Sequence, residues 1–224
     1  MNYHVDTALI LQEFHSGQEC PLCAIKKIVE QQLLLTFLEE AVMEDSARQR
    51  ANEKGFCGHH YDMMFARQNK LGLALQTTTR IDHLVKEMGA FSPKNAKKQI
   101  EVLEKATKTC VICDLIEFHM SRYYKTVAQM FAREKGFREM LTSTDGFCLE
   151  HYRELLKYSS SAGLKKKEYL SVLMAHEQKH LARIRGELQW FCDKHDYRNS
   201  NKPWGTSQDA LPRARTKLHG EQTK

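Results

Sequence analysis

Gly55-Phe56-Cys57-Gly58-His59-His60-Tyr61 returns later in the chain as Gly146-Phe147-Cys148-Leu149-Glu150-His151-Tyr152. Each copy carries Gly-Phe before a cysteine, a histidine three places on, and a tyrosine after it. Each is preceded by a Cys-x2-Cys pair: 33 residues separate Cys20-x2-Cys23 from Cys57, and 34 separate Cys110-x2-Cys113 from Cys148. Shared spacing with shared flanks points to a tandem duplication. His60 aligns with His151, whereas His59 faces Glu150. His60 and His151 are therefore the candidate ligands, and His59 reads as a surface or supporting residue.

Three thiolates and one imidazole form a tetrahedral donor set suited to zinc. The tandem reading groups Cys20, Cys23, Cys57 and His60 at one ion and Cys110, Cys113, Cys148 and His151 at a second, giving two Zn2+ per chain. In Cys57-x2-His60 the two side chains fall on one helical face about one turn apart. Both kinds of pair stand at expected helix starts, where the backbone dipole favours negative charge. Four protein ligands leave no open position, so each ion is expected to act as a staple. An iron–sulfur cluster is the alternative for the same donor types. The polar Ser16-Gly17-Gln18-Glu19 before Cys20 predicts solvent access there. The apolar Val111 and Ile112 predict burial of the Cys110 pair, so the first site is expected to be the more reactive.

The rest of the composition frames this reading. Among 224 residues, 42% are hydrophobic and 28% charged, enough for a packed core. Lys and Arg exceed Asp and Glu by 34 to 28, a mild basic excess that reads mainly as a solvated surface. A protein partner is therefore the first expectation and nucleic acid the weaker one. No apolar run approaches the ~20 residues of a membrane span. Met1-Asn2-Tyr3-His4-Val5-Asp6 lacks the pattern of a secretory signal. The seven cysteines are thus expected in a reducing cytoplasm, where metal binding outranks disulfides.

Helical periodicity dominates, and no period-2 segment stands out. Helices are expected over Val5 to Phe14, from Pro21, after Gly55 near Cys57, from Leu71 to Met88, from Ser92-Pro93 to about Lys105, after Cys110, after Gly146, and from Leu164 to about Cys192. The expected fold is all-α: an irregular multi-helix bundle of two pseudo-repeated halves, each stapled by a Cys3His site. The halves fall at 1–91 and 92–197, packed as one domain, with an irregular polar tail at 198–224.

Two further patterns invite chemistry. His176-Glu177-Gln178-Lys179-His180 matches His-Glu-x-x-His, in which both histidines bind zinc and the glutamate activates water. Gly186 stands where a third histidine would be needed, and the bland reading is a pair of histidines at the edge of the core beside Leu173 and Ile184. Cys192-x2-His195 has ligand spacing but lacks a partner pair, and reads as structural or surface. No Gly-rich phosphate loop and no Gly-x-Ser-x-Gly occurs.

Cys20-Pro21-Leu22-Cys23, Gly55-Phe56-Cys57-x2-His60, Leu71-Gly72-Leu73-Ala74-Leu75, Cys110-x2-Cys113, Gly146-Phe147-Cys148-x2-His151 and a tail running from Trp190-Phe191 through Asp196-Tyr197-Arg198-Asn199 and Pro203-Trp204-Gly205 to Asp209-Ala210-Leu211-Pro212-Arg213-Ala214 together resemble an uncharacterised bacterial family catalogued as a domain of unknown function. The resemblance runs from about Cys20 to Leu218. It implies an intracellular bacterial protein and supplies no reaction. The leading expectation is a metal-stapled helical binding or regulatory protein rather than an enzyme, its polar tail able to dock to a partner. A redox-responsive thiol switch is the second reading, and a hydrolase using His176, Glu177 and His180 the third.

Overall fold

A computed structural model describes residues 5–39, 42 and 44–221. Residues 1–4, which carry part of the signal-peptide reading, lie outside them. The described chain is helical throughout: α1 (Val5–Phe14), α2 (Pro21–Leu38), α3 (Asp45–Lys54), α4 (Gly58–Phe65), α5 (Lys70–Met88), α6 (Ala96–Lys108), α7 (Val111–Arg133), α8 (Phe137–Ser143), α9 (Leu149–Lys157), α10 (Lys166–Asp193) and α11 (Ala210–His219). Short 3-10 turns supplement them, and no strand occurs among the described residues. No described helix is long and apolar enough to cross a membrane.

The chain divides into two compact units, but not at the expected boundary. One comprises Met1–Lys27 with Met120–Thr223, and the other Ile28–His119. The second unit is thus an excursion in sequence within the first, in place of halves at 1–91 and 92–197. The helical pattern was readable from side-chain periodicity, which carries no information on which distant segments share a core.

In the first unit, aromatic rings build the core. Phe14 packs against Phe137 and Phe147, with ring centroids 5.7 and 5.9 Å apart. Phe131 meets Tyr169 edge-on at 5.2 Å. In the second unit, α5 starts against the end of α2. The Asn69 amide donates to Leu38 O (2.7 Å), and the Gln76 amide donates to Phe37 O (3.2 Å), filling carbonyls that the helix end leaves open. A Cβ on Gly72 would stand 2.6 Å from Leu38 O, so glycine permits this approach and accounts for the Leu71-Gly72-Leu73 stretch.

The segment expected to be an irregular tail is ordered as well. Lys194 is buried, and its ammonium donates to the carbonyls of Asn199 (2.8 Å), Ser200 (2.8 Å) and Lys202 (2.6 Å). Trp190 Nε1 donates to Pro203 O at 3.1 Å. Then α11 begins after Asp209, with Pro212 in its first turn, where a missing N–H costs nothing. Ala210, Ala214 and Lys217 form its buried face. Apolar residues four apart after an aspartate at the N-cap position were the available signal, obscured by the proline and the surrounding basic residues.

Candidate metal centres

Four helices start with candidate ligand residues. Cys20 precedes α2 and Cys110 precedes α7, each with its second cysteine in the first helical turn. Cys57 and Cys148 are the N-caps of α4 and α9, with nearly identical backbones: φ −71° and ψ 162° for Cys57, φ −70° and ψ 157° for Cys148. Gly55 (φ +68°) and Gly146 (φ +89°) supply the left-handed turn that leads into each cap. The local element inferred from the repeat is therefore built twice in the same way.

The grouping of these elements is not the tandem one. Cys20 and Cys23 meet Cys148 and His151, and Cys57 and His60 meet Cys110 and Cys113. Each Cys-x2-Cys serves the Gly-Phe-Cys-x2-His of the other copy, so the expected quartets exchange halves. A linker of 33 or 34 residues limits only how far a pair can reach. It does not oblige neighbouring pairs to meet, and packing within the two units selected the nested arrangement.

In the first cluster His151 Nδ1 lies 3.4 Å from Cys20 Sγ, 3.4 Å from Cys23 Sγ and 3.2 Å from Cys148 Sγ. Cys23 and Cys148 sulfurs are 3.7 Å apart. In the second, His60 Nδ1 is 3.2 Å from Cys57 Sγ and 3.4 Å from both Cys110 and Cys113 Sγ, and the Cys57 and Cys113 sulfurs are 3.9 Å apart. Each histidine thus turns Nδ1 inward.

Sulfurs at this spacing cannot all ionise unaided. Burial, then hydrogen bonding to Cys148 and Cys23, pushes the Cys20 thiol well up. Its bond to Cys148, with burial, takes Cys23 to about 12. The same bonds, donated by Cys20 and Cys23, hold Cys148 far below the usual thiol range. The second cluster repeats the pattern. Burial and the sulfurs of Cys110 and Cys57 raise Cys113. Cys110 is raised by burial, but its His60 partner and backbone N–H groups outweigh this and bring it to about 6. Burial works against a charged His60, yet Cys110 and Glu30 raise it to about 10. One favoured thiolate among crowded sulfurs, with helix N-termini converging on it, is a donor set suited to a cation.

The surroundings differ. The Glu30 carboxylate accepts from His60 Nε2 at 3.1 Å, orienting the ring from behind. Exposed His59 stands 3.7 Å from the same carboxylate, the supporting position expected for it. His151 Nε2 is buried with no hydrogen-bond partner among the described residues, and Tyr124 packs beside the ring at 6.1 Å. Instead, Glu221 N–H donates to Cys23 Sγ at 3.4 Å.

Behind Gly146-Phe147-Cys148 lies the His-Glu-x-x-His stretch. Glu177 accepts from Phe147 N–H (2.9 Å), and Lys217 donates to Glu177 (3.2 Å), Phe147 O (2.9 Å) and Asp145 O (3.2 Å). Both side chains are 1% exposed. His176 Nε2 is paired with Thr144 Oγ1 at 3.0 Å, and His180 Nδ1 accepts from Arg183 Nε at 3.2 Å. Burial and neighbouring cations push both histidines down to about 4. These contacts make the stretch a clamp on the Gly-Phe-Cys turn, although His180 Nε2 itself is buried with no hydrogen-bond partner among the described residues. Sequence reasoning missed Lys217 entirely, since an isolated lysine in a basic segment gives no sign of burial.

Access also reverses the expectation. Cys20 and Cys23 are buried, while Cys113 is exposed and Cys57 half-buried. Glu19 looked solvent-facing but is held by Arg183 (2.8 Å) and Arg213 (3.3 Å). Cys192 is exposed, and His195 packs on Phe191 and Trp204 outside both clusters.

The chain is 25% identical over 185 residues to the "uncharacterized 23.9 kDa protein in xynA 3'region" of Caldicellulosiruptor sp. (strain Rt8B.4), covering 80% of this chain and 84% of that protein. No solved structure matches it. A family model matches residues 1–224, and the chain belongs to that family of unknown function, DUF6062.

Proposed function

We propose that each cluster holds one zinc ion as a structural staple, and that the protein is a cytoplasmic, zinc-stabilised helical binding or regulatory module rather than an enzyme. The carrying observation is the size of the donor sets. Zinc bonds of ~2.3 Å to sulfur and ~2.0 Å to nitrogen at tetrahedral angles require edges of about 3.8 Å between sulfurs and about 3.5 Å between sulfur and nitrogen. The edges of 3.7 and 3.9 Å between sulfurs and of 3.2 to 3.4 Å to nitrogen lie close to those values. They also favour a single ion over an iron–sulfur cluster, whose iron and sulfide atoms would have to fit between the ligands. With four protein donors per ion, no coordination position is left for substrate. A partner-binding role is supported by exposed apolar side chains of the second unit: Leu71, Ile81 and Val85 on α5, Phe91 after it, and Ile100 on α6.

The test is metal analysis and native mass spectrometry of anaerobically purified protein. Two zinc ions per chain are expected, and Cys148→Ser should lose the ion of Cys20 and Cys23 while the other remains. Zero or one metal in fresh wild type, or iron with acid-labile sulfide, would overturn the reading.

A further inference from the structure

We propose that Cys113 is an oxidation site for hydroperoxides, with Cys57 as its resolving partner, and that their disulfide releases the zinc of the second cluster while the first keeps its own. This rests on the zinc reading and adds a regulation to one of its two sites. The geometry is asymmetric. In the first cluster Cys20, Cys23, Cys148 and His151 are exposed by 0, 4, 0 and 1%, so the described residues shield their sulfurs from an oxidant. In the second, Cys110 and His60 are equally buried, but Cys113 is open to solvent and Cys57 lies half-open beside it. Their sulfurs are 3.9 Å apart. A disulfide needs about 2.0 Å, so bonding asks for a displacement of about 2 Å shared between two side chains.

Zinc keeps its cysteine ligands deprotonated, and the thiolate is the nucleophile. Access then selects among the sulfurs. Cys113 sulfur attacks one peroxide oxygen. An S–O bond forms as the O–O bond breaks, and the alkoxide or hydroxide released takes a proton from water. Cys57 thiolate then attacks the sulfenic sulfur, forming S–S and expelling hydroxide, which is protonated to water. The two sulfurs lose two electrons, and the hydroperoxide is reduced to an alcohol (or water) and water. Two donors, Cys110 and His60, remain on the ion, too few for a structural site.

The experiment uses the full chain carrying Cys192→Ser, which removes the exposed thiol outside both clusters. Native mass spectrometry first establishes the zinc content. Limiting hydrogen peroxide is then added, zinc release is followed with a chromogenic chelator, and disulfides are mapped by peptide mass. One equivalent is expected to leave at least about tenfold faster than the other. A Cys57–Cys113 disulfide should appear in step with it, and dithiothreitol with added zinc should restore the starting species. Protein without two zinc ions at the outset would sink the zinc reading and this proposal with it. Two ions that leave at one rate, a Cys20–Cys23 or Cys110–Cys113 disulfide, or release only upon unfolding would overturn the proposal alone.

Discussion

The two clusters share one local design and differ in what stands behind it. Both join a Cys-x2-Cys helix start to a Gly-Phe-Cys-x2-His helix start, with histidine Nδ1 turned inward. The first is backed by α10 and α11, which bring a buried Glu177–Lys217 pair to the Gly-Phe-Cys turn, and by Glu221 beyond α11, whose N–H donates to Cys23. Among the described residues the second has no buried ion pair of this kind. Its turn is held by Val111 N–H donating to Gly55 O (3.0 Å) and by Arg80 hydrogen-bonded to Asn52 O, and its histidine is braced by Glu30. The comparison teaches that ligand identity is carried by a dozen residues, whereas access and rigidity come from elements remote in sequence. The loops differ too: Cys23 and Cys148 are 125 residues apart, His60 and Cys110 only 50. Closing the longer loop restricts the unfolded chain more, by about 0.8 kcal/mol.

The sharpest way to break this comparison is to remove the clamp. Glu177→Gln leaves Lys217 buried without its counter-charge and should cost about 3–5 kcal/mol, read as a lower denaturant midpoint. It should loosen zinc at the first cluster and leave the second unchanged. A variant as stable as wild type would mean that the buried pair does not hold the turn.

A smaller effect is expected from the glycines. A Cβ at Gly146 would meet Lys217 Nζ at 2.7 Å, Glu177 Oε2 at 3.0 Å and His180 Cβ at 3.1 Å, all in a packed site. At Gly55 it would meet the Arg80 guanidinium, first at 2.9 Å, and that end of a long side chain can move. Both positions have positive φ, which alone costs an alanine about 1–2 kcal/mol. Gly146→Ala should therefore lose about 2–3 kcal/mol and Gly55→Ala about 1–2 kcal/mol, measured side by side by thermal unfolding. Equal losses would remove the distinction between a rigid and a yielding support.

The gentlest probe is Glu30→Gln. The lost carboxylate should weaken zinc at the second cluster roughly 10–100-fold, with little change in fold, because the amide oxygen can still accept from His60. Chelator competition would show one affinity falling and the other holding. A fall in both would mean that the clusters are not independent, and no fall would mean that the charge of Glu30 does not strengthen His60 as a donor.

Much of this site was legible in the residues. The duplicated Gly-Phe-Cys-x2-His marked the clustered residues, because a turn able to hold a metal needs fixed donor types at fixed offsets and a glycine where φ is positive. Helix type followed from periodicity, and most starts from Pro21, Gly55, Ser92-Pro93 and Gly146. The pairing of the motifs was not legible, since spacing bounds distance without choosing a partner. Burial was misread on both sides. Ser16 to Glu19 looked open, yet Glu19 is paired with Arg183 and Arg213; Val111 and Ile112 are buried, yet Cys113, at the end of the same turn, faces solvent.

The amino-acid sequence by itself therefore determined the all-helical class, the eight Cys and His residues that gather in the two clusters and the helix start at each of their pairs, because these depend on contacts within about one helical turn. Only the tertiary structure decided which turns meet, that His176, Glu177 and Lys217 serve as a clamp, and which sulfurs face water. Those outcomes depend on packing between segments remote in sequence, from 30 residues apart at Phe147 and Glu177 to 125 at Cys23 and Cys148, where many arrangements satisfy the same local rules and burial of the core selects one.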